Sequence, residues 1–484
     1  MDGITLLIYF CVTSQAFISS GVRVQSKAVR AAPASPLPDC STSLRRICVE
    51  SQPHNQISSV MLRKLHFLLF ATLCASALWG QSNQQPQRTL RVDYDFSGTK
   101  SEQHISVAEL SSFEGWAGRT THTDSVPLRG NGDITLRDSQ TGRILYRQSF
   151  STLFQEWLAT EEATHTARSF ENTYLLPMPE APADITIRLF GITQPDTLKF
   201  THHVTPSDIL IRRLDKSPIP PHRYLWTGQA KGNKIDVAIV AEGYTEGQAE
   251  AFYKDADTAV KAILSHEPFK EYADRFNFVA VAAASRDSDV SIPHEGLWRN
   301  TALSSNFSTF YSERYLTTLR QRDLHNLLAR IPYEHIIILA NTYTYGGGGI
   351  YNAYTLTTTH HAAFRPVVVH EFGHSFGGLA DEYYYDDQYE NYYRPNEEPW
   401  EQNITTLADF ASKWQDMLPR KTRIPTPPDA KHPDRIGVYE GGGYMSKGVY
   451  RAFQDCRMKT NECRAFCPVC QRALKRLIEF YTEQ

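Results

Sequence analysis

The segment VVVHEFGHSFGGLADEYYY, Val367–Tyr385, carries the residues best suited to chemistry. In its His-Glu-x-x-His pattern, His370 and His374 fall one helical turn apart on one face, so both imidazoles can reach a single ion at the ~2.0–2.1 Å that zinc prefers. Glu371 then projects beside that ion without ligating it. There it can take a proton from a water that the metal has made acidic and pass it to a leaving amine. Residues of these types at this spacing suit the hydrolysis of a peptide bond. FRPVVV ahead of them supplies the apolar face a buried helix needs, and Gly377 and Gly378 break the helix just after the second histidine.

A zinc ion needs a further protein ligand. In the longer pattern H-E-x-x-H-x-x-G-x-x-H it stands six residues after the second histidine. Here that position is Ala380, which cannot bind a metal, and the next is Asp381. The glycine break lets the chain turn back, and the additional Gly378 can absorb a one-residue shift. Asp381 is the expected third ligand, with Glu382 as the alternative. His360 and His361, in a Thr-rich run, read as ordinary polar residues. Asp386, Asp387 and Glu390 in the acidic stretch beyond could hold a calcium ion, although a solvated loop is the preferred reading.

Two flanking segments would complete the site. In YGGGGIYNAYTLTTT, Tyr345–Thr359, consecutive glycines let a backbone approach another chain closely. An edge strand through Gly347, Gly348, Gly349 and Ile350 could hold a peptide substrate by β-augmentation. In GVYEGGGYMSKGVYRAFQDCRM, Gly437–Met458, Met445 lies in a glycine-bounded turn resembling the methionine turn beneath metzincin sites. Tyr444 and Tyr450 are candidate hydrogen-bond donors to a tetrahedral oxyanion, with packed aromatic residues as the plainer alternative.

The elements that must position these residues divide the chain. From 89 to 213, short alternating segments broken by turn residues predict an antiparallel β-sandwich, with STLFQEWLATEEA as a helix or long loop packed on it. A proline-containing stretch, 214–234, reads as a linker. From 235 to 484 the rhythm changes: Ile235–Tyr244, Asn277–Ser285 and His335–Tyr343 are continuous apolar runs fit for buried strands. A Thr-capped helix follows the first, and a helix over Arg314–Ile331 precedes the third.

With 484 residues, 41% of them hydrophobic and 21% charged, the chain suits two or three domains and not global disorder. Its formal charge is −3, and without residues 1–80 the balance turns more acidic, leaving no basic stripe for a nucleic acid. MLRKLHFLLFATLCASALWG, 61–80, has the charged start, apolar run and small residues of a secretory signal. Residues 1–60 then read as a non-native or disordered leader, with Ile4–Phe17 as an alternative signal. No later apolar segment reaches spanning length, so a secreted, periplasmic or cell-surface protein without a transmembrane segment is expected. Cys456, Cys463, Cys467 and Cys470 remain, close together near the C-terminus. Disulfides are their expected state in an exported protein, in pairings the sequence leaves open, while a Cys-x-x-Cys pair could instead hold a structural zinc. Oligomeric state is not legible.

Taken together, FSTLFQEWLAT, FENTYLLPMP, AIVAEGYT, NTYTYGGGGIYN, HEFGHSFGGLADEYYY and GGGYMSKGVYRAFQDCRM resemble, in order, the IgA-peptidase-like family of secreted bacterial zinc metallopeptidases. The resemblance implies an α+β zincin-like catalytic domain with a mixed sheet, preceded by an all-β sandwich domain. It also implies one catalytic Zn2+ on His370 and His374, Glu371 as the base, and a zinc endopeptidase acting on a protein or peptide. Immunoglobulin cleavage does not transfer, because specificity lives in grooves and loops. The alternative is a catalytically silent module on the same scaffold that binds surface glycans or proteins, a role in which Glu371 has no purpose.

Overall fold

Alternating apolar residues build the first two sheets. The computed structural model describes residues 88–191, 197–385 and 392–483; residues 1–80, with the segment read as a signal, and the calcium candidates Asp386, Asp387 and Glu390 lie outside the described residues. The strands are β1 (Arg88–Gly98), β2 (Gln103–Glu114), β3 (Gly132–Asp138), β4 (Ile144–Phe150), β5 (Arg168–Pro177), β6 (Ala183–Phe190), β7 (Thr197–Val204) and the short β8 (Arg212–Arg213). They pair in the orders β5-β1-β2-β8 and β4-β3-β6-β7, antiparallel except where β8 joins β2. In β6, Ala183, Ile185, Ile187 and Leu189 are buried and their neighbours half-buried, the period-two pattern of a sheet covered on one face. The two sheets share a core in which the Phe150 and Tyr174 rings lie 4.5 Å apart and Tyr94 Oη meets His202 Nε2 at 2.7 Å. Helix α1 (Leu153–Trp157), capped by Thr152, adds Phe154 and Trp157 to it.

A six-stranded mixed sheet follows, made of β9 (His222–Thr227), β10 (Ile235–Glu242), β11 (Phe276–Val281), β12 (His335–Ala340), β13 (Gly347–Ile350) and β14 (Tyr354–Thr358). Its order is β13-β14-β12-β10-β11-β9; the four inner strands are parallel and both edge strands antiparallel. Edge strand β9 comes from the stretch read as a linker. Val237 and Ile239 of β10 face one core while Ala238 and Val240 face another. Burial on both faces is why these strands read as unbroken apolar runs.

The core holding Val237 is completed by helices α2 (Ala249–Leu264), α4 (Phe364–Ser375) and α5 (Pro468–Thr482); the core holding Ala238 is continuous with that of the first two sheets. A capping box between Thr245 and Gln248 opens the turn leading into α2, at the threonine the sequence suggests. Between β11 and β12, besides two single-turn 3-10 segments, the chain forms the α-helix α3 (Gln321–Leu327), shorter than the spacing over Arg314–Ile331 predicts. Upstream, Thr317 exchanges backbone hydrogen bonds with Asn306 at 3.0 and 3.2 Å, and Thr318 Oγ1 donates to Leu303 O at 2.6 Å, so these β-branched residues pair extended.

A small sheet closes the far side of α4. It is built on β18 (Tyr444–Arg451), flanked by β15 (Tyr384–Tyr385), β16 (Ile404–Thr405) and β17 (Tyr439–Gly442). No helix among the described residues is long and apolar enough to cross a membrane. Phe372 anchors α4, fully buried against the rings of Phe269 and Phe376 at 5.4 and 5.2 Å. Phe372→Ala should lower unfolding free energy by about 3–5 kcal/mol, read by chemical denaturation; a loss below ~1 kcal/mol would show that this packing does not hold the helix.

Candidate metal centre and active site

Helix α4 buries Val368, Val369 and Phe372 and leaves His370, Glu371 and His374 partly open on the other side. Beyond its end Gly378 adopts φ +55°, a left-handed conformation that glycine tolerates, and the chain doubles back. That reversal brings Asp381 to the histidines. Asp381 Oδ1 lies 3.0 Å from His370 Nε2 and 3.2 Å from His374 Nε2, and the two Nε2 atoms are 3.0 Å apart.

The other ring nitrogens are both engaged as donors. His370 Nδ1 donates to Arg457 O at 2.9 Å, and His374 Nδ1 to Leu379 O at 2.6 Å. When the rings are neutral, as metal ligands must be, each turns its Nε2 lone pair toward the carboxylate. Three acceptors this close repel one another unless a cation or an added proton lies among them. In a tetrahedral zinc site with 2.0–2.1 Å bonds, neighbouring ligand atoms stand about 3.3 Å apart, so this donor set fits such an ion. The electrostatics agree. Burial opposes a charge on His374, yet the Asp381 carboxylate outweighs it and pushes the imidazole up to about 9. Burial likewise works against ionised Asp381, but the facing imidazoles hold it well below the usual carboxylate range.

Asp381 is held from several directions. Its carbonyl accepts from Gly443 N at 2.8 Å, Tyr444 Oη donates to Oδ2, and the next amide, Glu382 N, donates to Met458 O at 2.8 Å. Asn403 clamps the preceding residue, accepting from Ala380 N and donating to Ala380 O, each at 2.8 Å. Gly443 and Tyr444 form the two-residue turn between β17 and β18 with φ +55° and +67°, the signs a type I′ hairpin turn requires. A tyrosine at positive φ costs roughly 1–3 kcal/mol, a strain concentrated where the side chain orients Asp381.

The remaining candidates divide. Glu371 lies in the site; burial raises its carboxyl above the ordinary value, moderated by His370 and His374. Glu382, the alternative ligand, is fully buried and points to a different cluster. Tyr444 is brought to Asp381, its Oη donating to Asp381 Oδ2. Tyr450 is not brought to the site: it lies six residues further along the same strand. There it packs on the helical core, and the charges acting on its hydroxyl are Glu440 and Lys447. Met445 directly follows the turn and packs with Ala380, Ile404 and Val449 beside Asp381. His360 bonds Asp255, and His361 Nδ1 accepts from Ala363 N.

The glycine strand also differs from expectation. β13 is an edge, but Gly347 already bridges Tyr315 on its outer side, and Gly348 faces the Tyr315 ring and Leu316 O. Ile350 is a core residue. The glycines let β13 lie against α4: a Cβ on Gly347 would stand 2.9 Å from Glu371 Oε1, and one on Gly349 2.4 Å from Glu371 O. Asn403 and the carbonyls of Arg457 and Leu379 have no sequence signature. Nor does Glu156 of α1, which bonds Tyr315 Oη; burial raises it to about 7, within the field of His374 and Asp381.

A mixed sheet backing a helix with a partly open His-Glu-x-x-His site defines a candidate metal-dependent hydrolase. The sequence model described as IgA Peptidase M64 matches residues 225–431 and 428–478, more than half the chain, and that described as Peptidase M64 N-terminus matches 82–201. The chain belongs to the IgA Peptidase M64 family. It is thus a peptidase by family, and the family implies a metal. No curated protein matches it.

Tyr444→Phe should lower metal affinity about 10–100-fold with the fold intact, as loss of an outer hydrogen bond to a ligand does; Tyr450→Phe should leave it unchanged. Competition with a chromophoric chelator reads both. Equal affinities in Tyr444→Phe and wild type would remove Tyr444 from the site.

Proposed function

We propose that this protein is an exported zinc endopeptidase whose ion is held by His370, His374 and Asp381 and whose general base is Glu371. The observation that carries the reading is the convergence of two Nε2 lone pairs and a carboxylate oxygen at 3.0–3.2 Å, with Glu371 on the same helix. The mixed sheet with its antiparallel edge strand against α4 supports a zincin-like fold for 235–484, with the β-rich 89–213 as a separate module before it. Export rests on the charged, apolar and small-residue parts of 61–80. The internal cleavage site rests on the family resemblance alone.

When bound, zinc would supply a Lewis acid that acidifies a water and polarises the scissile carbonyl. The chain's own groups do the rest. His370 and His374 are oriented through their Nδ1–H bonds, and Tyr444 fixes Asp381. Glu371, its carboxyl raised by burial and braced against Gly347, accepts the proton of the attacking water on one carboxylate oxygen and returns it to the departing amine nitrogen.

Glu371→Gln keeps both histidines and the helix but removes the proton acceptor. Hydrolysis of a peptide library should fall by about 10²–10⁴-fold with zinc content unchanged, and a chelator should abolish wild-type hydrolysis; turnover near wild type in the variant would sink the mechanism. Gly347→Ala tests the brace. Its Cβ must displace the Glu371 carboxylate, so kcat should drop by ~10²-fold, as misplaced catalytic groups do, without metal loss, whereas unchanged kcat would show that Glu371 is not seated by β13.

A further inference from the structure

One residue beyond Asp381 the chain enters a second cluster. The sulfurs of Cys456, Cys467 and Cys470 and a carboxylate oxygen of Glu382 lie within 4.8 Å of one another, and all four residues are buried. We propose that they bind a second zinc ion, structural in role and separate from the catalytic centre.

The spacing of the sulfurs argues for a shared ion over a disulfide. Cys456 Sγ and Cys470 Sγ are 3.8 Å apart. A disulfide needs about 2.05 Å, whereas zinc–sulfur bonds of ~2.3 Å at tetrahedral angles place two sulfurs about 3.8 Å apart. The disulfides expected from the sequence are not formed, and all four C-terminal cysteines are free. Three converging thiols leave one over in any pairing, and Cys463 stands outside the group, bonded to Ala465 O.

Glu382 is the independent observation. It is fully buried; Oε1 accepts from Asn403 Nδ2 at 3.1 Å and from Cys470 Sγ at 3.2 Å, while Oε2 has no hydrogen-bond partner. A buried carboxylate needs a cation or a full set of donors. Burial pushes the Glu382 carboxyl well above the usual range against the field of Arg451, and the nearby cations are engaged elsewhere: Arg451 Nη1 bonds the carbonyls of Glu440 and Gly441 and Lys459 Nζ that of Gln454. A zinc ion on the three sulfurs answers the need. Cys467 caps α5 and Cys470 lies in its first turn, where the helix dipole favours thiolates, and Cys467 N donates to Cys456 Sγ at 3.2 Å.

Two segments run from this cluster into the catalytic centre. Cys456 precedes Arg457, whose carbonyl orients His370, and Met458, whose carbonyl holds Glu382 N. Glu382 follows Asp381. An ion on Cys456 and Glu382 therefore fixes the neighbours of two catalytic ligands from behind.

The full-length chain, purified without reductant, should carry two zinc ions by elemental analysis, one for each group. Peptide-level alkylation after unfolding in chelator should find Cys456, Cys467 and Cys470 as thiols. A His370→Ala/His374→Ala variant should keep one zinc, and Cys463→Ser should keep both. Loading wild type with Co2+ should give a sulfur-to-cobalt charge-transfer band that the nitrogen and oxygen donors of the catalytic centre cannot produce, a readout independent of peptidase activity and of how the histidine variant folds. A metal-free histidine variant that is folded, a disulfide within the trio, or cobalt-loaded protein without that band would overturn the proposal.

Discussion

Three lone-pair donors that repel one another are held within 3.2 Å by a helix and the turn behind it, and much of the surrounding structure resists their separation. Two of them, one turn apart on α4, come together through helical geometry alone. The third does not. Asp381 reaches them because Gly378 reverses the chain, Asn403 clamps Ala380 through both backbone groups, and the β17–β18 turn donates hydrogen bonds to the Asp381 carbonyl and carboxylate together. The strain at Tyr444 is tolerated because that turn is anchored on both sides by the small sheet.

Rigidity at this point is inherited from the packing beneath it. α4 is sandwiched between the aromatic residues Phe269 and Phe376 and strand β13, whose glycines allow backbone contact with the helix. The parallel strands behind are buried on both faces, so neither the sheet nor α4 can shift without opening a core. The first two sheets share one of those cores, and through α1 they place Glu156 against Tyr315, the residue that bridges Gly347. The β-rich region thus bears on the strand that seats Glu371.

How much of this was legible beforehand follows from the range of each interaction. His370, Glu371 and His374 were readable because their geometry is that of one helix turn, and Asp381 because a glycine break limits how far the chain can travel. The inner strands were readable from unbroken apolar runs. Tyr450 was misplaced because nothing local reveals that Tyr444 and Tyr450 lie toward opposite ends of one strand, Tyr444–Arg451. The glycines of β13 were read as open to a substrate because composition reports only that a backbone approaches something, not that the neighbour is α4.

By itself, then, the sequence determined what short-range geometry determines: the donor types, two of the candidate ligand positions, the helix stop and the family, which rests on several segments in a fixed order. Tertiary structure alone decided the contacts made across long stretches of chain. Tyr444 meets Asp381 from 63 residues away, and the Arg457 carbonyl meets His370 from 87. The same holds for Glu382, which is one residue from Asp381 in sequence but 88 from the cysteine it bonds. Backbone carbonyls carry no residue code, and sulfur spacing along a chain does not reveal spacing in space, so these partners became visible only once the fold had brought them together.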